Sequence, residues 1–126
     1  MNIRNLFKLT AIVFFFAWGA HLFFPNQLLL LFGLEPNESA VFMTRRFGIA
    51  LLGYVVIFWM LKSSTLSREI RVIMIGALIT ISLSAVIILT GIINGTLSSS
   101  GWMIFVPATL LALGFGYLLL IRPPLT

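Results

Sequence analysis

The sequence predicts an all-α integral membrane bundle of four transmembrane helices, with a short interfacial segment between helices 1 and 2. Three observations carry that prediction. The chain of 126 residues is 60% hydrophobic and only 9% charged, against about a quarter charged in a soluble domain. Its mean hydropathy is +1.14. Its apolar residues fall into four runs of about twenty, the length that crosses a hydrocarbon core of about 30 Å.

The first run covers residues 6–24, after a short basic start, MNIRNLFK. A basic start before an apolar core also opens a signal peptide. Here the bulky Phe23-Phe24-Pro25 replaces the small residues of a cleavage site, so a first span is expected. Pro25 ends it, because proline has no N–H for the helix ladder and restrains the residue before it. Residues 26–34 are too apolar for a free aqueous loop and too short to cross. They are expected to lie on the membrane or dip into it, with Gly33 closing the turn. The polar patch Glu35-Pro36-Asn37-Glu38-Ser39 reads as a helix start with Asn37 as its cap.

The second span covers residues 40–61 and carries Arg45 and Arg46 in its first turns. A basic loop follows at 62–71, and the third span at 72–93. The segment NGTLSSSG, 94–101, is a chain breaker without charge. The fourth span covers 102–121, is expected to kink at Pro107 and free a carbonyl there, and ends at Arg122-Pro123-Pro124. One four-span domain, 1–126, accounts for the whole chain.

Charge sets the expected orientation. With a cytoplasmic N-terminus, Arg4, Lys8, Lys62, Arg68, Arg71 and Arg122 fall inside, and only Arg45 and Arg46 outside. That bias places both termini in the cytoplasm of a multi-pass protein of the plasma or inner membrane. Trp102 then anchors the outer interface and Trp59 the inner one. The net charge of +5 reflects these span ends and lipid phosphates. No basic stripe with interleaved aromatics is present, so nucleic acid is not an expected partner. Membrane lipids are, together with a protein partner or a second copy in the bilayer.

Small residues recur at a spacing of four. The third span has Gly76, Thr80 and Ser84, and the fourth has Ala108, Ala112 and Gly116; the second adds Gly48 and Gly53. Such stripes let helix backbones approach closely in lipid. The serine and threonine hydroxyls can bond back to their own helix. The expectation is therefore a packing seam at these positions rather than a polar pathway.

Few residues carry chemistry. His21, near the end of the first span beside Trp18, is the only histidine. An ionisable residue within a span is a functional candidate by default, against the plainer reading of an interfacial histidine bonded to water or a carbonyl. Haem would need a second axial ligand, from a methionine or a second copy. Arg45 and Arg46 either snorkel to phosphates or pair with Glu35 and Glu38, or they clamp an anion with their guanidinium forks. The candidate ligand-binding cluster is His21, Arg45, Arg46 and Trp18. No acid lies inside any span, which argues against a proton- or cation-coupled pump. With no cysteine, no paired carboxylates, no nucleophile triad, no phosphate loop and no zinc motif, neither catalytic residues nor a metal or cofactor is expected.

Gly19, Pro25, Leu31-Phe32-Gly33 and Arg46-Phe47-Gly48 give residues 10–62 a texture that resembles small bacterial four-span membrane proteins of the domain-of-unknown-function type. The layout is similar in architecture to DoxX-like proteins and to the small four-span sterol-pathway scaffold of fungi. The resemblance implies the four-span fold and brings no site residues with it. The leading functional expectation is a non-enzymatic accessory or scaffold subunit of a membrane complex. Alternatives are a binder or transporter of a small lipophilic or anionic molecule at the His/Arg cluster, and a redox protein holding haem or quinone through His21.

Overall fold

Three of the four long helices start where a short polar side chain takes up a free backbone N–H. Asn2 accepts from the Asn5 N–H at 2.8 Å, Asn37 from Ala40 at 2.8 Å, and Ser67 from Ile70 at 3.3 Å. The computed structural model describes residues 2–121; Arg122-Pro123-Pro124, expected to end the fourth span, lie outside the described residues. Four helices result that are long and apolar enough to cross a membrane: α1 (Ile3–Phe23), α3 (Glu38–Leu61), α4 (Arg68–Ile93) and α5 (Trp102–Ile121). A short helix, α2 (Pro25–Leu31), lies between the first two long ones. No strand occurs among the described residues. This is the all-α multi-pass bundle that the composition predicts. α4 begins before residue 72, because Ser67 caps it and the charged Arg68, Glu69 and Arg71 form its first turn.

Pro25 does two jobs. Its missing N–H ends α1, and its fixed φ starts α2 as the first helical residue. α2 then closes on Gly33, whose φ of +76° is strained for any residue with a Cβ. The Gly33 N–H donates to Leu30 and the Leu34 N–H to Leu29, at 3.0 and 2.8 Å, the paired bonds of a Schellman turn. Ser98, from the α4–α5 connection, caps this turn. Its N–H donates to the Phe32 carbonyl and its hydroxyl to the Leu31 carbonyl, both at 2.9 Å. The two connections are therefore tied into one cap over the distal end of the bundle, the end away from the termini. Carbonyls that would face lipid or headgroups unpaired are satisfied there.

The long helices associate as two pairs. α1 packs along α3, and α4 along α5, while α1 and α5 join the pairs; α3 and α4 make no extended contact. The core lies toward the terminal end. There Phe7, Phe58 and Phe115 meet with centroids 5.3 to 6.1 Å apart, each 1% exposed or less, with Leu6, Met74 and Leu118 around them. Thr10 is fully buried in the same cluster and donates to the Leu6 carbonyl at 2.8 Å, so no polar group is stranded there. On α4 the buried stripe runs Ile70, Met74, Ala77, Ile81 and Ala85. The lipid-facing surface is large and apolar, with Phe16, Met60, Ile87 and Leu120 each at least 70% exposed. In water such a surface would drive aggregation; in a bilayer it is solvated.

Candidate functional site

Beyond the aromatic core, the two helix pairs separate. A cavity of about 520 Å³ opens between them in the distal half of the bundle, with walls from all four long helices. Its floor is Phe14, Tyr54 and Phe58, which pack edge to face or stacked at 5.8 to 6.4 Å. Its sides carry small residues: Ala17 on α1, Ala50 on α3, Ala77, Thr80 and Ser84 on α4, and Ala108 on α5. Small side chains at these heights leave volume that the phenylalanines fill lower down. Ala50, Tyr54, Thr80 and Ser84 line the cavity and are exposed. They lie on α3 and α4, which make no extended contact, so the cavity is accessible from the side between those two helices.

One close approach sets the distal geometry. Gly48 of α3 is buried against α1, and a Cβ placed there would lie 2.9 Å from the His21 Cβ and 3.3 Å from the Leu22 nitrogen. Only glycine allows that contact. It brings Phe47 beside His21, with ring centroids 5.1 Å apart, and both residues line the cavity. His21 Nδ1 lies 2.6 Å from the Ala17 carbonyl. A carbonyl can only accept, so Nδ1 carries the proton, and in the neutral ring Nε2 is the acceptor. Nε2 makes no hydrogen bond with any described residue.

The other polar groups of the wall are hydroxyls. Thr10, Thr44 and Thr90 bond back to the carbonyl four residues earlier. On the same helix as Thr90, which turns back as the sequence allows, Thr80 and Ser84 make no such bond. They and the Tyr54 hydroxyl line the cavity unpartnered. Pro107 also lines it, one turn from Met103. Pro107 has no N–H, so the Met103 carbonyl lacks its helical donor. No charged side chain reaches the lining.

The candidate residues from the sequence are thus only partly assembled. His21 is in the cavity wall. Arg45 and Arg46 are exposed on α3, outside the lining, and make no ion pair with Glu35, Glu38 or any other described residue. Trp18 points its ring among Phe15 and Phe23 instead, at 5.4 and 5.7 Å, and its indole N–H is buried without a partner. Among the small residues, Gly48 is a tight contact, whereas a Cβ at Gly53, Gly76 or Gly116 would meet nothing within 4 Å. Ala108 and Ala112 pack against the core cluster. Ala112 and Gly116 also border a shallow apolar recess between α4 and α5, where the Thr109 hydroxyl is buried without a bond. Tyr54 and Met103 carried no sequence signal, since a lone tyrosine or methionine within a span is ordinary lipid-facing or core material. No family model, curated protein or solved structure matches this chain.

Proposed function

We propose that the protein binds a neutral lipophilic molecule inside the bilayer, in the cavity between the α1–α3 and α4–α5 pairs. The observation that carries the reading is the cavity itself: about 520 Å³, walled mostly by hydrocarbon, with a few polar groups among the lining. Ligand sites are commonly concave, mostly apolar and sparsely polar, in volumes of about 300–1,000 Å³. The sideways opening between α3 and α4 gives a lipid-dissolved molecule a path that never crosses water. The absence of charge from the lining favours a neutral ligand over the anionic one that Arg45 and Arg46 suggested. Those arginines then meet lipid phosphates at the membrane surface.

The protein sits in this reading in a plasma or inner membrane with both termini cytoplasmic. The support is the grouping of Arg4, Lys8, Lys62, Arg68 and Arg71 at the terminal end.

An accessory or scaffold subunit is the second reading. It is favoured by the open space around Gly76 on the outside of α4 and the recess bordered by Gly116, where another helix has room to approach. Native mass spectrometry of gently extracted protein separates the two. The binder gives a small-molecule adduct that disappears in Ala50→Phe and Ser84→Phe, which fill the cavity from exposed positions, and persists in an Arg45→Ala/Arg46→Ala double variant. An adduct lost only in the double arginine variant overturns the cavity reading. A mass matching another protein, unchanged by the filling variants, supports the subunit.

A further inference from the structure

We infer that the ligand of this cavity carries a hydroxyl donor at the head of an apolar body: a lipid alcohol or phenol rather than a ketone, ether, ester or acid. The inference rests on the cavity reading and deepens it. Tyr54, Thr80 and Ser84 offer hydroxyls, which donate or accept according to need. They cannot discriminate between a ligand that gives a proton and one that takes it.

Two polar groups of the wall have a fixed sense. His21 Nδ1 is committed to the Ala17 carbonyl at 2.6 Å, so in the neutral imidazole Nε2 can only accept. The Met103 carbonyl, deprived of its helical donor by Pro107, can also only accept. Both fixed groups thus ask for a donor. A carbonyl or ether head placed against them sets acceptor against acceptor and leaves buried lone pairs unpaired, which is the strongest form of discrimination a small site has. A carboxylate head fares worse, because no cation lines the cavity to pair with it. The same logic separates a phenol from the quinone formed by its oxidation.

The position of the acceptor is built rather than incidental. Gly48 lets α3 seat directly on His21, Phe47 packs on the imidazole, and the Ala17 bond fixes the ring nitrogen that remains available.

Hexadecanol, hexadecyl methyl ether and nonylphenol, titrated into the full-length protein in nanodiscs, test this by native mass spectrometry and calorimetry. The wild type binds hexadecanol about five- to tenfold more tightly than its methyl ether, the worth of one hydrogen bond, and binds nonylphenol as well. His21→Leu, which leaves only the Met103 carbonyl as a fixed acceptor, diminishes the preference while still binding both chains. His21→Gln, which retains an acceptor, keeps more of it. Equal binding of alcohol and ether by the wild type, or an undiminished preference in His21→Leu, overturns the inference and leaves the cavity standing. Failure of every probe to respond to Ala50→Phe overturns the cavity reading itself.

Discussion

Gly48→Ala and Gly53→Ala are the same chemical change on the same helix, and the structure assigns them opposite signs. Alanine in a helix interior is favoured over glycine by about 0.5–1 kcal/mol, because the unfolded chain loses less freedom. At Gly53 nothing lies within 4 Å of the added methyl, so that gain stands alone. At Gly48 the methyl would sit 2.9 Å from the His21 Cβ, 3.3 Å from the Leu22 nitrogen and 3.5 Å from the His21 carbonyl carbon. Comfortable carbon–carbon contact is about 3.5–4.0 Å. None of these atoms is the end of a flexible side chain, so α1 and α3 must move apart along their shared seam. Overpacking of this kind costs about 1–3 kcal/mol. The net result is a loss of about 1–2 kcal/mol for Gly48→Ala, a five- to thirtyfold shift toward unfolded protein. Unfolding titrations in mixed micelles of a mild detergent and dodecyl sulfate measure it. Equal midpoints for the two variants would refute the reasoning, and with it the direct seating of α3 on His21.

Two further outcomes follow from the fold and its charge pattern. Phe58→Ala should destabilise by about 3–5 kcal/mol, since its ring is 1% exposed and lies against both Phe7 and Phe115; a change under about 1 kcal/mol in the same titration contradicts the aromatic core. The chain has no cysteine, so Ser64→Cys in the α3–α4 loop and Ser99→Cys in the α4–α5 connection each create a unique label. In intact cells an impermeant maleimide should react with the second and not the first, and the reverse pattern overturns the proposed orientation.

The spans were legible because each is a long apolar run, and hydrocarbon demands little else of a lipid-facing helix. The caps were legible too. Asn37 is followed by the acid and apolar run of a helix start, and its side chain does accept from Ala40. Gly33 was readable as a turn, although its partner Ser98, 65 residues away in the chain, was not. The site was less visible for a physical reason. A small residue every fourth position says only that bulk is missing from one face of a helix. At Gly48 the missing bulk admits the backbone of α1. At Thr80 and Ser84 the same spacing leaves room that no helix enters, because α3 and α4 stand apart. Distinguishing the two needs the arrangement of the pairs, which local sequence does not hold. Arg45 and Arg46 stood out by their charge, and the structure places them exposed on α3, outside the cavity lining.

The division of the bundle into a packed half and an open half follows from where bulk is placed along each helix. On α1, Phe7 fills the terminal half, whereas Ala17 borders the cavity. On α3, Phe58 is followed toward the distal end by Ala50. On α5, Phe115 and Leu118 give way to Leu111, Ala108 and Pro107. Small residues thus border the cavity on three helices, interleaved with larger ones such as Phe14, Phe47 and Ile104. The distal ends of this less densely filled half are tied together. The bonds from Ser98 to Leu31 and Phe32 hold them, and the Gly48 seam fixes the α1–α3 pair on the other side. The cavity is therefore bounded by a rigid floor, a tied cap and one tight seam. The remaining boundary is the gap between α3 and α4, which make no extended contact, and in the proposed reading a ligand enters from the bilayer there.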